Sequence, residues 1–456
     1  MALQERINKA LADTVLRAGI AYSVDAHSVA SARVIPPETR KVWRAEARHV
    51  RMHAVRHLPD LIAQFADRAT EHGVQVHYAG DGAEAREIIL GLARRHGVRS
   101  VVKSKSMASE EVDLTHALEQ AGMQVVETDL GEYIVQLAHE PPSHIVAPAI
   151  HKTRQQIAEL FAAVAGKPIA DDTVSLARFA QRHLRRQFQE ADLGISGGNF
   201  LVAETGTVVV VSNEGNARMV STVAPVHVAL VGVDKVIATW EDLGKLLRVL
   251  ALASTGQKST VYVSLITRPQ QLGDDDGPRE VHVVLLDNGR SGILGTPYEE
   301  TLMCIRCGAC LDICPVYRQI GGHAYGSVYS GPIGAVITPL LKGVAAQPEL
   351  PFASTLCGAC WEVCPVGIHL HEHLLHLRAD VVKKGLGFQR ERNGFRAMRY
   401  ALGSPGRFRV SVGALAFTRR HFPSFLPEPV KVWARGRSVP ELERVPFREQ
   451  WRRRRG

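Results

Sequence analysis

All seven cysteines of this 456-residue chain lie between Cys304 and Cys364. An odd number of cysteines crowded into one segment is a poor pattern for a disulfide framework. Cysteines at short spacings are instead typical of metal sites in proteins of a reducing compartment. The chain therefore has to fold so that this segment gathers its thiols around metal ions, and we predict a cytoplasmic protein.

The cysteines form two related motifs. The first is CIRCGACLDICP, residues 304–315, and the second is CGACWEVCP, residues 357–365. Three cysteines at this spacing can surround one face of an iron–sulfur cube, whereas the cysteine before the proline ligates the other cluster in two-cluster ferredoxins. The predicted ligands of the first [4Fe–4S] cluster are therefore Cys304, Cys307, Cys310 and Cys364.

The second [4Fe–4S] cluster has an incomplete ligand set. By the same exchange it is held by Cys314, Cys357 and Cys360. Alignment of the two motifs places Ser354 where the fourth cysteine would stand. We therefore expect the second cluster to convert readily to a three-iron form.

A zinc ribbon is the main alternative, because paired C-x2-C motifs are its signature. Its ligands would be Cys304, Cys307, Cys357 and Cys360. That arrangement leaves three cysteines unused and does not explain the two Cys-Pro steps.

The surroundings of the motifs favour a helical ferredoxin domain. The 42 residues between Cys314 and Cys357 are too many for a compact β-type ferredoxin, and the pattern predicts a helix at Gly331–Leu341. Four histidines follow the second motif, and we interpret them as side chains of a packed helix rather than as metal ligands: His369, His371, His373 and His376.

Hydrophobic periodicity divides the chain into four predicted regions. Apolar residues recur at helical spacing in residues 1–74, and residues 75–295 alternate strands with helices, which indicates a largely parallel sheet covered by helices. Residues 296–382 form the predicted ferredoxin domain. Residues 383–456 are rich in Arg, Pro and Gly with weak periodicity, and we expect a loosely structured basic C-terminal extension.

Polar segments follow several predicted strands, where ligands bind in α/β folds. They are Lys103–Ser106, Ser196–Asn199, Glu204–Gly206 and Asn213–Asn216 with Arg218. The same residues also suit turns and helix caps, so both a ligand pocket and turn chemistry stay open. Neither a GxGxxG sequence after a strand nor a P-loop is present, so hydride chemistry with a nicotinamide lacks support.

The charge is uneven along the chain. Residues 383–456 hold 19 basic and five acidic residues, a net charge of +14, whereas the remainder holds 36 basic and 41 acidic residues. Such a tail can dock on an acidic partner or on the inner face of a membrane, and no nucleic-acid motif accompanies it. The start, MALQERINKALADTVLRAG, has no apolar core of a secretory signal, and no run reaches the roughly 18 apolar residues of a membrane span.

Several long segments resemble the lactate utilization protein B family, the iron–sulfur subunit of a bacterial L-lactate oxidation system. They include VKSKSMASEEVDL, PPSHIVAPAIHK, NEGNARMVST, DNGRSGILGT and CIRCGACLDICPVYRQIGGHAYGSVYSGPIGAV. The resemblance spans about residues 75 to 380. It implies an α/β domain similar to sugar-phosphate isomerases and coenzyme A transferases, two [4Fe–4S] clusters, and partner subunits A and C of the same pathway. The nucleophilic glutamate of coenzyme A transferases has no motif-matched counterpart at Glu204 or Glu214.

The resulting hypothesis is an electron-transfer subunit of an oxidoreductase complex that oxidises L-lactate to pyruvate. One alternative keeps the electron role with another donor, such as glycolate or glycerol phosphate. The other is an α/β ligand-binding or transferase enzyme whose clusters are structural or redox-sensing.

Overall fold

The computed structural model describes residues 3–387, 389–421 and 447–455. The chain divides into two compact units, residues 1–383 and residues 384–456. None of the described helices combines the length and apolar character that a membrane span requires.

Unit 1 begins with four helices and continues with alternating strands and helices. The first four helices are α1 (Leu3–Ala12), α2 (Thr14–Arg33), α3 (Pro37–Arg56) and α4 (Leu58–Glu71). The helices of the alternating part are α5 (Gly82–Arg95), α6 (Met107–Glu111), α7 (Leu114–Gln120), α8 (Leu130–Leu137), α9 (Arg154–Ala165), α10 (Thr173–Glu190), α11 (Asn216–Val220) and α12 (Trp240–Thr255). Aspartates cap several of these helices, as Asp81 does for α5 by accepting from the backbone N–H of Ala83 and Glu84.

In the part of the chain that the structure describes, ten strands form two sheets. The strands are β1 (Gln75–Ala79), β2 (Ser100–Lys103), β3 (Gln124–Glu127), β4 (Leu193–Ser196), β5 (Phe200–Val202), β6 (Thr207–Ser212), β7 (Val226–Gly232), β8 (Val236–Ile237), β9 (Tyr262–Ile266) and β10 (Glu280–Leu286). The first sheet has six strands in the order β1-β10-β7-β4-β2-β3, and every neighbouring pair is parallel. The second has four strands in the order β8-β5-β6-β9, and β6 pairs antiparallel with both β5 and β9.

The cysteine segment follows as short helices. They are α13 (Ala309–Asp312), α14 (Tyr317–Ile320), α15 (Gly331–Lys342), α16 (Ala359–Val363) and α17 (Leu370–Lys383). Short 3₁₀ helices cover Val233–Lys235, Ser291–Ile293, Glu299–Met303, His323–Tyr325 and Leu350–Phe352. One hydrophobic cluster joins this segment to the N-terminal helices, because Ile20 and Val24 of α2 pack in the same core as Leu311 and Tyr317.

The mixed α/β fold with a parallel sheet is as the sequence predicts, and the helix predicted at Gly331–Leu341 is present as α15. One feature differs, because the strands β6 and β9 belong to a second, mixed sheet. Val263 and Leu265 of β9 are exposed because this strand lies at a sheet edge.

The C-terminal unit is more regular than expected. Its described parts are the helices α18 (Gln389–Leu402), α19 (Pro405–His421) and α20 (Phe447–Arg455). The expectation of a loosely structured extension is therefore wrong for these residues. Their weak apolar periodicity is explained by exposure, since Phe395, Tyr400 and Phe417 face solvent.

Candidate metal centre and adjoining cavity

The two cysteine loops share one backbone conformation. Arg306 and Leu356 both have positive φ, 59° and 57°, and the glycines that follow the next cysteines, Gly308 and Gly358, have φ of 82° and 83°. Each glycine then starts a short helix, α13 or α16. The register places Ser354 at the position of Cys304, as the alignment of the motifs predicts.

The fold brings the thiols of the two motifs together. Cys307 interacts electrostatically with Cys304 and with Cys364 of the second motif. Cys360 interacts with Cys314 of the first motif and with Cys357. The proline-preceding cysteine of each motif therefore lies beside the other motif, which is the arrangement of an interleaved pair of sites.

These thiols fit iron–sulfur clusters. Burial raises the pKa of Cys307 and Cys310 well above the ordinary value of a thiol, so a thiolate at these positions needs a cation beside it. The backbone N–H groups of Tyr317 and Ile368 lie 3.5 and 3.4 Å from the Sγ atoms of Cys314 and Cys364. Such N–H donors are a usual feature around cluster sulfurs. All seven cysteines are free thiols in this structure.

Arg51 of α3 holds the first loop. Its side chain is buried, and it donates to the backbone carbonyls of Leu302 at 2.9 Å, Met303 at 3.1 Å and Val236 at 2.7 Å, and to that of Asp234. Burial lowers the pKa of this guanidinium to about 10. The contacts fix the chain just before Cys304 against the second sheet.

Arg44, two turns earlier on α3, holds the second loop. It donates to the carbonyl of Trp361 at 2.7 Å and lies over the Trp361 ring at 4.8 Å from its centroid. The Ser354 hydroxyl of this loop accepts from the backbone N–H of Leu356 at 3.1 Å. Cys357 is exposed, and a hydrogen bond from Thr355 lowers its pKa.

Two of the histidines after the second motif, His369 and His373, lie beside Glu300. His369 Nδ1 lies 2.9 Å from Glu300 Oε2, and His373 Nε2 lies 3.7 Å from the same oxygen. Burial opposes ionisation of Glu300, but the nearby His373 and the hydrogen bonds from His369 and Arg48 hold its pKa below the usual range. The carboxylate therefore ties α17 to α3.

A buried histidine anchors the first loop from another side. His144 Nδ1 accepts from the backbone N–H of Val146 and Ala147, which places the proton on Nε2. That nitrogen lies 3.2 Å from Asp312 of α13. His144 belongs to the PPSHIVAPAIHK segment, so the contact gives that segment a physical role in positioning the cysteine loop.

A cavity of about 410 Å³ lies between the parallel sheet and the first loop. Ser104 and Gly197 line it directly after the carboxyl ends of β2 and β4. The chain leaves β2 toward β3 on one side and leaves β4 toward β7 on the other, so the crevice is the topological switch point where ligands bind in such sheets. A Cβ at Gly197 would come within 2.8 Å of Ser106 Oγ, so only glycine allows this approach.

The opposite wall of the cavity belongs to the cysteine segment. It consists of Ile305, Arg306, Cys307 and Tyr329. The cavity therefore joins the ligand-binding edge of the sheet to the loop that carries the first cysteines.

The cavity includes most of the polar segments that the sequence singled out. Its polar lining contains Ser104, Lys105, Ser106, Asn199, Asn213, Glu214 and Asn216. Lys103 points elsewhere and pairs with Glu127 at 2.6 Å and Glu110 at 2.8 Å, so it cannot receive an anion. Glu204 lies outside the cavity lining, and its carboxylate accepts from the backbone N–H of Trp240 at the start of α12.

Sequence reasoning missed the buried charges behind the cavity. Asp234 accepts from Lys235 Nζ at 2.5 Å and from Arg290 Nε at 2.7 Å, and Arg306 lies 3.9 Å away. These cations hold the pKa of Asp234 far below its usual range despite burial. The only sequence signal was the DNGR segment, which contains Arg290.

The chain is similar to known proteins along most of its length. A LUD domain matches residues 62–286, and a 4Fe-4S dicluster domain matches residues 300–368. Lactate utilization protein B of Geobacillus kaustophilus (strain HTA426) is 42% identical over 414 residues, which covers 89% of this chain and 87% of that protein.

Two further relatives have similar coverage. Lactate utilization protein B of Bacillus pumilus (strain SAFR-032) is 39% identical over 463 residues, covering 99% of this chain and 97% of that protein. The uncharacterized electron transport protein YkgF of Escherichia coli (strain K12) is 39% identical over 416 residues, covering 90% and 88%.

Proposed function

Because the chain belongs to the lactate utilization protein B family, we propose that it is the iron–sulfur electron-transfer subunit in the oxidation of L-lactate to pyruvate. One observation carries the proposal. Seven free thiols lie in the segment that matches a dicluster domain, and thiols of one motif interact electrostatically with thiols of the other.

The proposed ligand sets are those of an interleaved pair of clusters. The first cluster is held by Cys304, Cys307, Cys310 and Cys364, and the second by Cys314, Cys357 and Cys360. Support comes from the electrostatic contacts that cross between the motifs, since Cys364 interacts with Cys304 and Cys314 interacts with Cys357.

When bound, the two [4Fe–4S] clusters supply sites that accept and release single electrons. Oxidation of L-lactate to pyruvate releases two electrons and two protons. Among the proposed ligands only Cys357 of the second site is exposed, so a partner can approach there. The partners are lactate utilization proteins A and C, and the whole is a lactate dehydrogenase complex that does not depend on a nicotinamide.

The basic C-terminal extension makes peripheral contact with the inner face of the membrane. In its described part, α18 combines Arg392, Arg396 and Arg399 with the exposed side chains of Phe395 and Tyr400. Basic residues interleaved with exposed aromatic side chains suit an anionic lipid surface.

The test is anaerobic co-purification of the chain with its partners, followed by addition of L-lactate. Iron and acid-labile sulfide should be nearly equal, at about eight of each per chain, and L-lactate should reduce the clusters only when the partners are present. Glycolate serves as the matched donor control. Stoichiometric zinc without sulfide would contradict the iron–sulfur assignment, and faster reduction by glycolate would change the donor.

A further inference from the structure

Two buried polar groups face the cavity without hydrogen-bond partners in the described part of the chain. One is the guanidinium of Arg306, of which both terminal nitrogens lack a partner among the described residues. The other is the hydroxyl of Ser104. The Arg306 side chain is only 9% exposed, and Ser104 is 2% exposed. Because a buried donor without a partner is costly, these groups indicate a ligand that supplies the missing acceptors.

The charges around Arg306 are unbalanced. Lys235, Arg290 and Arg306 are all buried near Asp234, and the second carboxylate of the group, Glu111, is occupied by two hydrogen bonds from Arg290 at 2.9 and 2.7 Å. Arg51 and the thiol of Cys304 also interact electrostatically with this group. The buried cations outnumber the carboxylates, which favours an anion in the cavity.

The conformation of the cysteine loop does not require this arginine. Leu356 occupies the equivalent position of the second loop with nearly the same φ. Positive φ is therefore a property of the loop, whereas the guanidinium is particular to the loop that lines the cavity. Tyr329 supports it from one side, with the guanidinium carbon 4.3 Å from the ring centroid.

We propose that the cavity binds a small hydroxy or oxo acid, whose carboxylate pairs with Arg306 and whose 2-oxygen bonds to the Ser104 hydroxyl. The planar fork of a guanidinium matches the two oxygens of a carboxylate. This assignment rests on the proposed function, and it adds the place where this chain meets the acid.

The far side of the cavity argues against a multiply charged anion. Asp129 and Glu214 line it beside a single cation, Lys105, whose Nζ already donates to the carbonyl of Val146 at 2.8 Å. A phosphate dianion would therefore face repulsion that a monocarboxylate avoids. The volume of about 410 Å³ leaves room for water or for a longer side chain on the acid.

Calorimetric titration of the anaerobic, cluster-loaded full chain with L-lactate, pyruvate, propionate and inorganic phosphate tests the site. The variants are Arg306→Gln, Arg306→Lys and Ser104→Ala. Arg44→Gln is the matched control, because Arg44 is near Cys364 but lies outside the lining of this cavity. Iron and sulfide content is measured for each preparation, so loss of clusters is seen separately from loss of binding.

We expect L-lactate and pyruvate to bind more tightly than propionate or phosphate. Arg306→Gln should weaken lactate binding roughly 10- to 100-fold, as expected for loss of a charged hydrogen-bonded pair. Arg306→Lys should recover part of the affinity for L-lactate. Ser104→Ala should reduce the difference in affinity between L-lactate and propionate. Arg44→Gln should bind L-lactate as the wild type does. Bound acid should also change the electron paramagnetic resonance signal of the reduced first cluster.

Three results would overturn the inference while leaving the electron-transfer role intact. The first is a wild-type protein with both clusters that binds neither L-lactate nor pyruvate. The second is tighter binding of phosphate than of either acid. The third is an equal loss of affinity in Arg306→Gln and Arg44→Gln, since Arg306 would then act only through general charge balance.

Discussion

The first and second cysteine loops have the same backbone and different surroundings. In the first loop Cys304 is buried, and Arg51, Lys235 and Arg306 all interact with it electrostatically. In the second loop the equivalent position is Ser354. Its neighbour Cys357 is exposed.

The loop conformation and the environment of each metal site therefore have separate origins. The conformation repeats where the CGAC sequence repeats, at residues 307–310 and 357–360, because glycine tolerates the positive φ after Cys307 and Cys357. The environment depends on what packs against each loop. We therefore predict one protected cluster and one labile cluster, and the following changes test that contrast.

The largest expected effect comes from exchanging single ligands. Cys364→Ser should destroy the first cluster, although Cys364 belongs to the second motif, and Cys314→Ser should destroy the second cluster. The reason is that each of these thiols lies beside the other motif. Iron analysis with electron paramagnetic resonance of the reduced protein distinguishes the two losses. If each substitution instead damages the cluster of its own motif, the interleaved assignment is wrong.

The two arginines of α3 should differ in their contribution to stability. Arg51→Ala leaves four backbone carbonyls without their donor, and we expect it to lower the free energy of unfolding by about 3–5 kcal/mol. Arg44→Ala removes partly exposed contacts from the second loop and should cost only about 1 kcal/mol.

Anaerobic denaturant unfolding of the two variants at equal cluster content provides the comparison. Equal losses of stability would show that α3 supports both loops alike, contrary to the contrast in burial.

Ser354 should decide how the second cluster responds to oxygen. With three thiolates, the second cluster should lose one iron in air and show a three-iron signal, while the first cluster persists. Ser354→Cys should suppress that signal, because the backbone of residue 354 is already held by Arg378, which donates to its carbonyl at 2.9 Å.

Electron paramagnetic resonance of air-exposed wild type and variant gives the answer. Ser354→Ala is the matched control and should behave as the wild type does. Absence of any three-iron signal in the wild type would contradict the predicted lability.

The smallest effect on the clusters should follow from truncation of the basic extension. Removal of residues 436–456 should leave both cluster signals unchanged, while lowering binding to anionic vesicles in low salt. Vesicle sedimentation at about 50 and 300 mM salt measures the binding, with neutral vesicles as the control. Loss of either cluster on truncation would mean that the extension covers the cysteine segment.

Much of the fold could be predicted from local pattern. The strands β1, β2, β3, β7 and β10 lie in the region 75–295 that the pattern assigns to alternating strands and helices. The apolar runs of β7 and β10 are those of buried strands. The strands β4, β5 and β8 were missed, since two to four residues are too few to show a period.

The conformation of the cysteine loops is encoded in their local sequence. The cysteine spacing, the glycines after Cys307 and Cys357, and the serine at position 354 in place of a cysteine are local features of the sequence. They are present however the rest of the chain packs.

The surroundings of each loop depend on tertiary packing. Arg51 donates to carbonyls as many as 252 residues away in the chain, and Arg306 meets the end of the parallel sheet across the cavity. Periodicity records which face of an element is buried and not what it is buried against. The burial of Cys304, the exposure of Cys357 and the cavity beside the first loop therefore arise from long-range packing.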